Sequence, residues 1–160
     1  MKANLRNNYL LAAGVLLLVV LCFLSVYNPM EFGREQTRRE AVVKRRLVMI
    51  RAAEEKYKAA NGTYTNSIDT LVKAGLLADS LRYIPFSGNK EFALATSSII
   101  GKTGKHIPLM ECSAGYEEYL HGLDANAIAE LIEKANAAGL FPGLKIGDIA
   151  EPNDNIGNWE

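Results

Sequence analysis

The chain has 160 residues, enough for one modest domain and an additional anchoring segment. Its 18 basic and 18 acidic residues leave no net charge. This argues against a nucleic-acid-binding protein, which would normally carry an excess of basic residues. The two cysteines lie in segments of different character, Cys22 in an apolar block and Cys112 in the more polar remainder, so no disulfide framework is predicted.

An uncharged apolar block extends from Tyr9 to Tyr27, between the charges of Arg6 and Glu31. About 20 apolar residues in a helix span the hydrocarbon core of a bilayer, and tyrosines favour its two interfaces. A cleaved signal peptide would have a shorter apolar core and a small-residue cleavage site, which the residues after Tyr27 do not supply. The sequence therefore predicts an uncleaved anchor, with residues 1–30 forming a cytoplasmic tail and a transmembrane helix.

The basic residues on either side of this block allow two orientations. The segment after the block carries Arg34, Arg38, Arg39, Lys44, Arg45 and Arg46. The positive-inside rule, applied to them, places the following domain in the cytoplasm. The tail "MKANLRNN" is basic without any acidic residue, which is typical of an anchor with its N-terminus inside, and long domains cross membranes largely regardless of charge. We expect the domain to face the periplasm, and the cytoplasm-facing orientation remains the alternative.

Residues 31–62 are predicted to form a helical stalk and a domain helix. The stretch "EFGREQTRRE" is polar nearly all round, and "EEKYK" is interpreted as a solvated helix face. After "EFGREQTRRE", apolar residues recur three and four positions apart, as on one face of an amphipathic helix. This stripe consists of Val43, Leu47, Ile50, Ala53, Tyr57 and Ala60. Asn61-Gly62 should end the helix, because glycine tolerates the left-handed conformation found there.

Residues 63–150 are predicted to form a small α+β domain. A short helix over "SIDTLVKAGLL" should bury Ile68, Leu71, Val72 and Leu76. A β-hairpin is predicted from Glu91–Ile100 and Ile107–Cys112, with Pro108 at an edge, and Arg82–Pro85 is a candidate for a further strand. A second helix should begin after the N-cap Asp124, end at Gly139 and bury Ile128, Leu131, Ile132 and Ala135. The stretch "FPGLKIGD" is predicted as a short strand or loop, and residues 151–160 as a polar, extended C-terminal tail.

Together these elements predict an α+β fold. An N-terminal transmembrane helix would continue into a long amphipathic helix, which packs against a small antiparallel β-sheet with a second helix.

No set of residues with the spacing of a catalytic, cofactor-binding or metal site is found. "GKTGK" fails the phosphate-loop pattern, because Thr96 stands where the first glycine is required. His106, Cys112 and His121 match no zinc spacing, even with Glu111 added. Cys112 is interpreted as a small apolar thiol packed in a strand. We therefore predict a protein that is not an enzyme, with no catalytic, cofactor-binding or metal-binding residues and no cofactor.

The segment "IRAAEEKYKAANGTYTNSIDTLVKAGLL", after a transmembrane and amphipathic helix, resembles type IV pilins and type II secretion pseudopilins. Many of these carry an Ala-x-x-x-Tyr-x-x-x-x-Gly-x-Tyr run where the long helix ends, and Ala53, Tyr57, Gly62 and Tyr64 match it. The resemblance covers the first half of the chain and implies a short helix or loop followed by a small sheet. The family's cleavage motif before the apolar block and its Glu within that block are not present, which agrees with an uncleaved anchor.

The later half of the chain looks like uncharacterised single-pass envelope proteins of Bacteroidetes, a likeness that indicates a location. Asp69-Thr70-Leu71 and Asp79-Ser80-Leu81 look like the Asp-Ser/Thr-apolar sites that envelope proteins of this group O-glycosylate. Glycosylation of either triplet would place the domain outside the cytoplasm.

These resemblances imply a non-enzymatic structural or assembly component of the bacterial cell envelope, anchored in the inner membrane. Its partners would be the lipid bilayer and other envelope, secretion or pilus-like proteins, with self-association through the N-terminal helix and no nucleic acid. The alternative is a cytoplasm-facing, membrane-anchored adaptor.

Overall fold

The computed structural model describes residues 2–102 and 104–160, with side chains described for residues 9–22, 30–102 and 104–160. Helix α1 covers Lys2–Asn61. The chain divides into two compact units, Met1–Thr37 and Arg38–Glu160, and each is described by itself.

In the first unit, every described side chain of the predicted anchor is exposed, from Tyr9 to Cys22. The remainder of that anchor falls within 23–29, outside the residues whose side chains are described. Over the residues that the structure describes, no helix is both long enough and apolar enough to cross a membrane.

In the second unit, α1 buries the predicted stripe over its middle part. Val43, Leu47 and Ile50 are fully buried and Ala53 is nearly so. Tyr57 is only half-buried and Ala60 is exposed, so the buried stripe is shorter than predicted. The aromatic ring that is buried near the end of α1 is that of Tyr64, which follows the helix break.

The break itself is confirmed. Helix α1 ends at Asn61, and Gly62 follows with a φ of 78°, in the left-handed region. The Gly62 N–H donates to the carbonyl oxygen of Lys58 at 2.7 Å, which satisfies one of the last carbonyls of the helix.

The sheet has three antiparallel strands in the order β1-β2-β3, with β1 at Ala93–Ile100, β2 at His106–Gly115 and β3 at Gly143–Gly147. The predicted hairpin is confirmed, and its second strand extends to Gly115. One face of the sheet joins the stripe on α1 in the core. Its buried residues are Met110, Cys112, Ala114, Leu144 and Ile146.

One prediction around the hairpin is confirmed and another needs correction. Strand β2 is central in the sheet, but β3 pairs only with Glu111–Gly115, so Pro108 has the single neighbour Ser98 and lies at an edge position, as predicted. A proline is therefore tolerated because it has only one strand beside it. The predicted strand Arg82–Pro85 is reduced to an isolated bridge between Tyr83 and Glu91, preceded by a 3₁₀ helix at Asp79–Leu81.

The remaining helices are α2 at Ile68–Lys73, the single turn α3 at Tyr116–Tyr119, and α4 at Ala125–Ala137. Helix α2 buries Ile68 and Leu71, as predicted. The Asp124 side chain accepts a hydrogen bond from the Asn126 N–H at 2.9 Å, which confirms the predicted N-cap of α4.

The C-terminal segment 151–160 is not an extended tail. Gly157 forms a bridge with Ile146, and the Asn158 N–H donates to the carbonyl oxygen of Lys145 at 3.0 Å. The Gly147 N–H also donates to the carbonyl oxygen of Ile156, at 3.1 Å. The segment therefore folds back along β3, because its backbone supplies hydrogen-bond partners that this edge strand otherwise lacks.

Two glycines with similar backbone angles allow steric collision to be separated from backbone strain. Gly62 has a φ of 78° and open space where a Cβ would lie, whereas Gly147 has a φ of 70° and the Met110 carbonyl oxygen 2.1 Å from that point. We expect Gly62→Ala to cost about 1–2 kcal/mol of unfolding free energy, the ordinary cost of a left-handed alanine. Gly147→Ala should cost clearly more, because β3 must also move away from β2.

Urea unfolding of the two variants and the parent measures this difference. If Gly62→Ala and Gly147→Ala lower the unfolding free energy equally, the close approach of β3 to Met110 does not contribute to the cost of the substitution.

Candidate functional site

The side chains of three arginines of α1 donate hydrogen bonds to backbone carbonyl oxygens in three separate segments of the second unit. Arg39 donates to the carbonyl oxygens of Tyr119 and His121, at 3.1 and 2.9 Å. Arg46 donates to the carbonyl oxygens of Ser80 and Tyr83, at 3.1 and 2.5 Å.

Arg51 completes the set at the C-terminal segment. Its guanidinium donates to the Asn155 carbonyl oxygen at 3.0 Å, and to both carboxylate oxygens of Glu160 at 3.1 and 3.2 Å. A guanidinium suits this role because its planar group of N–H donors can bind two acceptors at once. The arginines therefore order loops that have few regular backbone partners of their own.

The end of α1 is closed by a polar network around Tyr64, whose side chain is only 6% exposed. The Tyr64 hydroxyl donates to Glu55 Oε1 at 2.6 Å and accepts from Lys58 Nζ at 2.8 Å. It also accepts from Asn155 Nδ2 at 2.7 Å, and Asn155 Nδ2 donates to Glu55 as well. The hydroxyl thus uses its one hydrogen and both lone pairs, so the network is fully satisfied at its centre.

Removing this hydroxyl should weaken the second unit. We expect Tyr64→Phe to lower the unfolding free energy by about 1–3 kcal/mol, because the partly buried donors of Lys58 and Asn155 lose an acceptor. Tyr83→Phe is the control, since Tyr83 is half-buried and its ring stays in place. Urea unfolding of both variants decides the matter, and equal stability of Tyr64→Phe and Tyr83→Phe would contradict a structural role for the network.

Glu54 lies beside this network and is completely buried. Its Oε2 accepts from the Thr65 N–H at 3.1 Å, whereas its Oε1 has no hydrogen-bond partner among the described residues. Burial raises the pKa of Glu54 from 4.5 to about 7, the Thr65 N–H opposes this rise, and the charge of Glu55 adds to it. The residue was predicted to be part of a solvated face, which is wrong: it lies four residues after Ile50, on the buried side of α1.

The raised pKa makes the stability of the fold dependent on pH. Between about pH 4.5 and 7 the folded chain keeps the proton on Glu54, whereas the unfolded chain has released it. Stability should therefore fall as pH rises through this window, by about 3 kcal/mol for a shift of this size, and the loss should be complete above it. Glu54→Gln keeps the acceptor for Thr65 but cannot ionise, so this part of the pH dependence should disappear.

Urea unfolding at pH 5 and pH 8 measures the effect, with Glu133→Gln on the exposed side of α4 as the control. A Glu54→Gln variant whose stability changes with pH as much as that of Glu133→Gln would show that Glu54 titrates normally.

A cleft of about 390 Å³ lies between α1, the end of α4 and the C-terminal segment. Its walls include the aromatic rings of Tyr116, Phe141 and Trp159, and Leu140 is 65% exposed at its edge. Lys44 lies 5.7 Å from the centre of the Trp159 ring and also pairs with Glu40 at 3.6 Å. Glu40, Lys44 and Lys145 line the cleft beside these rings, so it offers both apolar and charged contacts.

The two triplets that resemble glycosylation sites meet at Arg82. Its guanidinium pairs with Asp69, with Asp79 at 3.1 Å and with Glu91 at 3.1 Å. Thr70 is half-buried within α2, whereas Ser80 is exposed in the 3₁₀ helix. Of the two candidate acceptors, only the Ser80 side chain is openly accessible, and the modification itself stays a prediction.

The residues considered for metal or nucleophile chemistry are not brought together. His106 and His121 are exposed, whereas Cys112 is fully buried in β2. Burial, with smaller contributions from the charges of Glu54 and Glu111, raises the pKa of the Cys112 thiol. Over residues 2–102 and 104–160, no three His, Cys, Asp or Glu side chains form a group that could hold a metal ion.

Comparison with protein-family models gives no match to this chain. Comparisons with curated proteins and with solved structures give no significant match either.

The sequence did not reveal the residues that close the end of α1. A signal existed for Glu54, whose position continues the spacing of Leu47 and Ile50. For Asn155 the local sequence gives no such signal, because its partners Glu55 and Tyr64 lie 100 and 91 residues away.

Proposed function

We propose that this protein is a non-enzymatic structural or assembly component of the bacterial cell envelope, with a layout like that of pilins and pseudopilins. In this proposal the apolar block Tyr9–Tyr27 anchors the chain in the inner membrane, and the α+β unit Arg38–Glu160 faces the periplasm. Its partners are the bilayer and other envelope, secretion or pilus-like proteins.

The observation that carries the proposal is the apolar surface of α1 from Tyr9 to Cys22. Every large apolar side chain there is exposed, with Leu16 at 69% and Leu18 at 63%. Soluble proteins rarely expose a continuous apolar surface of this extent, and such surfaces mark contacts with membranes or with other proteins.

The order of elements gives further support. A long helix, a short helix and a small antiparallel sheet follow each other, as the resemblance to pilins implies. Of the four matching residues, Ala53 and Tyr64 are buried and Gly62 has the positive φ that the helix end requires. These positions therefore have structural reasons to be Ala, Gly and Tyr.

The arginines after the block bear on the orientation. Counted as topological signals, they favour the cytoplasm-facing alternative. Arg39 and Arg46 bind backbone carbonyls of the folded unit, which explains their presence without any topological role. The arginines are therefore weaker support for the cytoplasm-facing adaptor, and the basic tail "MKANLRNN" supports the periplasmic orientation.

Membrane fractionation of the full chain tests the anchor. We expect the protein to remain in the membrane pellet after alkaline carbonate washing. Leu16→Arg combined with Val20→Arg should release much of it, because each arginine at the centre of a span costs about 2.5–3.5 kcal/mol. Val48→Arg is the control, since Val48 is exposed on α1 but lies outside the block. A parent protein found in the supernatant would overturn the proposed anchor.

Reporter fusions after Glu160 test the orientation. Alkaline phosphatase, which is active only in the periplasm, should be active there, and a reporter that fluoresces only in the cytoplasm should be dark. The opposite pattern would support the anchored adaptor instead.

A further inference from the structure

Strand β1 is an edge of the sheet that nothing covers in the part of the chain the structure describes. Its residues Ala93–Ile100 pair with β2 on one side. On the other side, no described segment makes a backbone hydrogen bond with residues 93–100. Because the N–H and C=O groups of alternate residues point to opposite sides of a strand, about half of the peptide groups of β1 face outward and are available to another strand.

This edge also lacks the protection that exposed edges usually have. Natural edge strands carry lysine, proline or a bulge that prevents pairing with another chain. The sequence "ALATSSII" contains no charged residue and no proline. The opposite edge of the sheet differs. Strand β3 carries Lys145, and the C-terminal segment lies along it, with the Asn158 N–H donating to the Lys145 carbonyl oxygen.

We propose that β1 pairs antiparallel with β1 of a second copy of this chain, about a twofold axis at Ser97, to form a continuous six-stranded sheet. In this register Leu94 lies opposite Ile100 of the second copy, and Ala95 lies opposite Ile99. Ile100 is 70% exposed and Leu94 is half-buried in the single chain, so the pairing covers an apolar side chain that no other described segment covers. Identical uncharged strands meet without repulsion along their length.

The two ends of the strand differ in charge. Before β1, the cluster around Arg82 has the three carboxylates of Asp69, Asp79 and Glu91, all substantially exposed. Arg82, Lys90 and Arg46, whose guanidinium donates to the Ser80 and Tyr83 carbonyl oxygens, balance these three charges. Beyond β1, the hairpin turn carries the exposed Lys102 and Lys105. An antiparallel pair places these lysines beside the exposed carboxylates of the other copy, whereas a parallel pair would bring the lysines of both turns together.

Disulfide trapping in the full chain tests the register. The Cβ atoms of residues directly opposite on antiparallel strands lie about 4.5–5.5 Å apart, close to the separation found in disulfides. In a Cys22→Ser background, Ser97→Cys should form a covalent dimer on mild oxidation of the detergent-purified protein. The controls are Ser98→Cys, which is offset from its own copy in this register, and Asn136→Cys on the exposed side of α4. A Ser97→Cys dimer that forms no faster than the Asn136→Cys dimer would overturn the proposal.

Charge variants give a second, independent readout by sedimentation of the full chain. Ser97→Lys places two ammonium groups opposite each other, which should raise the dimer Kd about tenfold or more. Lys102→Glu with Lys105→Glu should weaken the dimer, whereas Lys134→Glu on α4 should not. These comparisons separate the β1 edge from association through the N-terminal helix, which none of the variants changes. Equal Kd values for Ser97→Lys and Lys134→Glu would contradict the pairing.

Discussion

The second unit depends on the binding of backbone carbonyls by arginines of α1. Arg39, Arg46 and Arg51 reach the segment after α3, the loop before the sheet and the C-terminal segment. Each contact is a charge-assisted hydrogen bond to a peptide group that has no helix or sheet partner to replace it. The long helix thus supplies both the apolar stripe of the core and the donors that fix the loops around it. A lysine in any of these positions could satisfy one acceptor well but would not hold two acceptor groups in a fixed plane.

Local patterns were sufficient for the regular elements. The spacing of Val43, Leu47 and Ile50 predicted the buried face of α1, Gly62 predicted its end, and Asp124 predicted the start of α4. Each of these features depends on residues within a few positions of one another. The alternation in the hairpin predicted two strands, but not that a third strand would make β2 central. Strand pairing depends on distant segments, and the period of one strand says nothing about how many neighbours it has.

The polar interior was harder to predict from the sequence. Glu54 belongs to a charged run that is typical of a solvated helix face, and the burial of its side chain depends on the chain after Gly62 folding back over it. The same holds for Tyr64, which the resemblance to pilins singles out but whose hydroxyl partners no local pattern predicts. One of them, Asn155, comes from the segment 151–160, which the sequence predicts to be a polar, extended tail. Long-range closure of this kind leaves no periodic signal, so the candidate site was only partly predictable.

The long sequence separation between Asn155 and its hydrogen-bond partners affects the order in which the unit folds. Its bonds to Glu55 and Tyr64 join positions 100 and 91 residues apart, and contacts of such separation form late because a long loop must close first. A chain that emerges from the ribosome at roughly 5–20 residues per second presents α1 several seconds before residue 155 appears. Throughout that interval the end of the helix, its tyrosine and the acidic residue beside it stay open to chaperones and proteases. The nascent protein therefore leaves open a part of α1 that the finished one encloses with a residue from the far end of the chain.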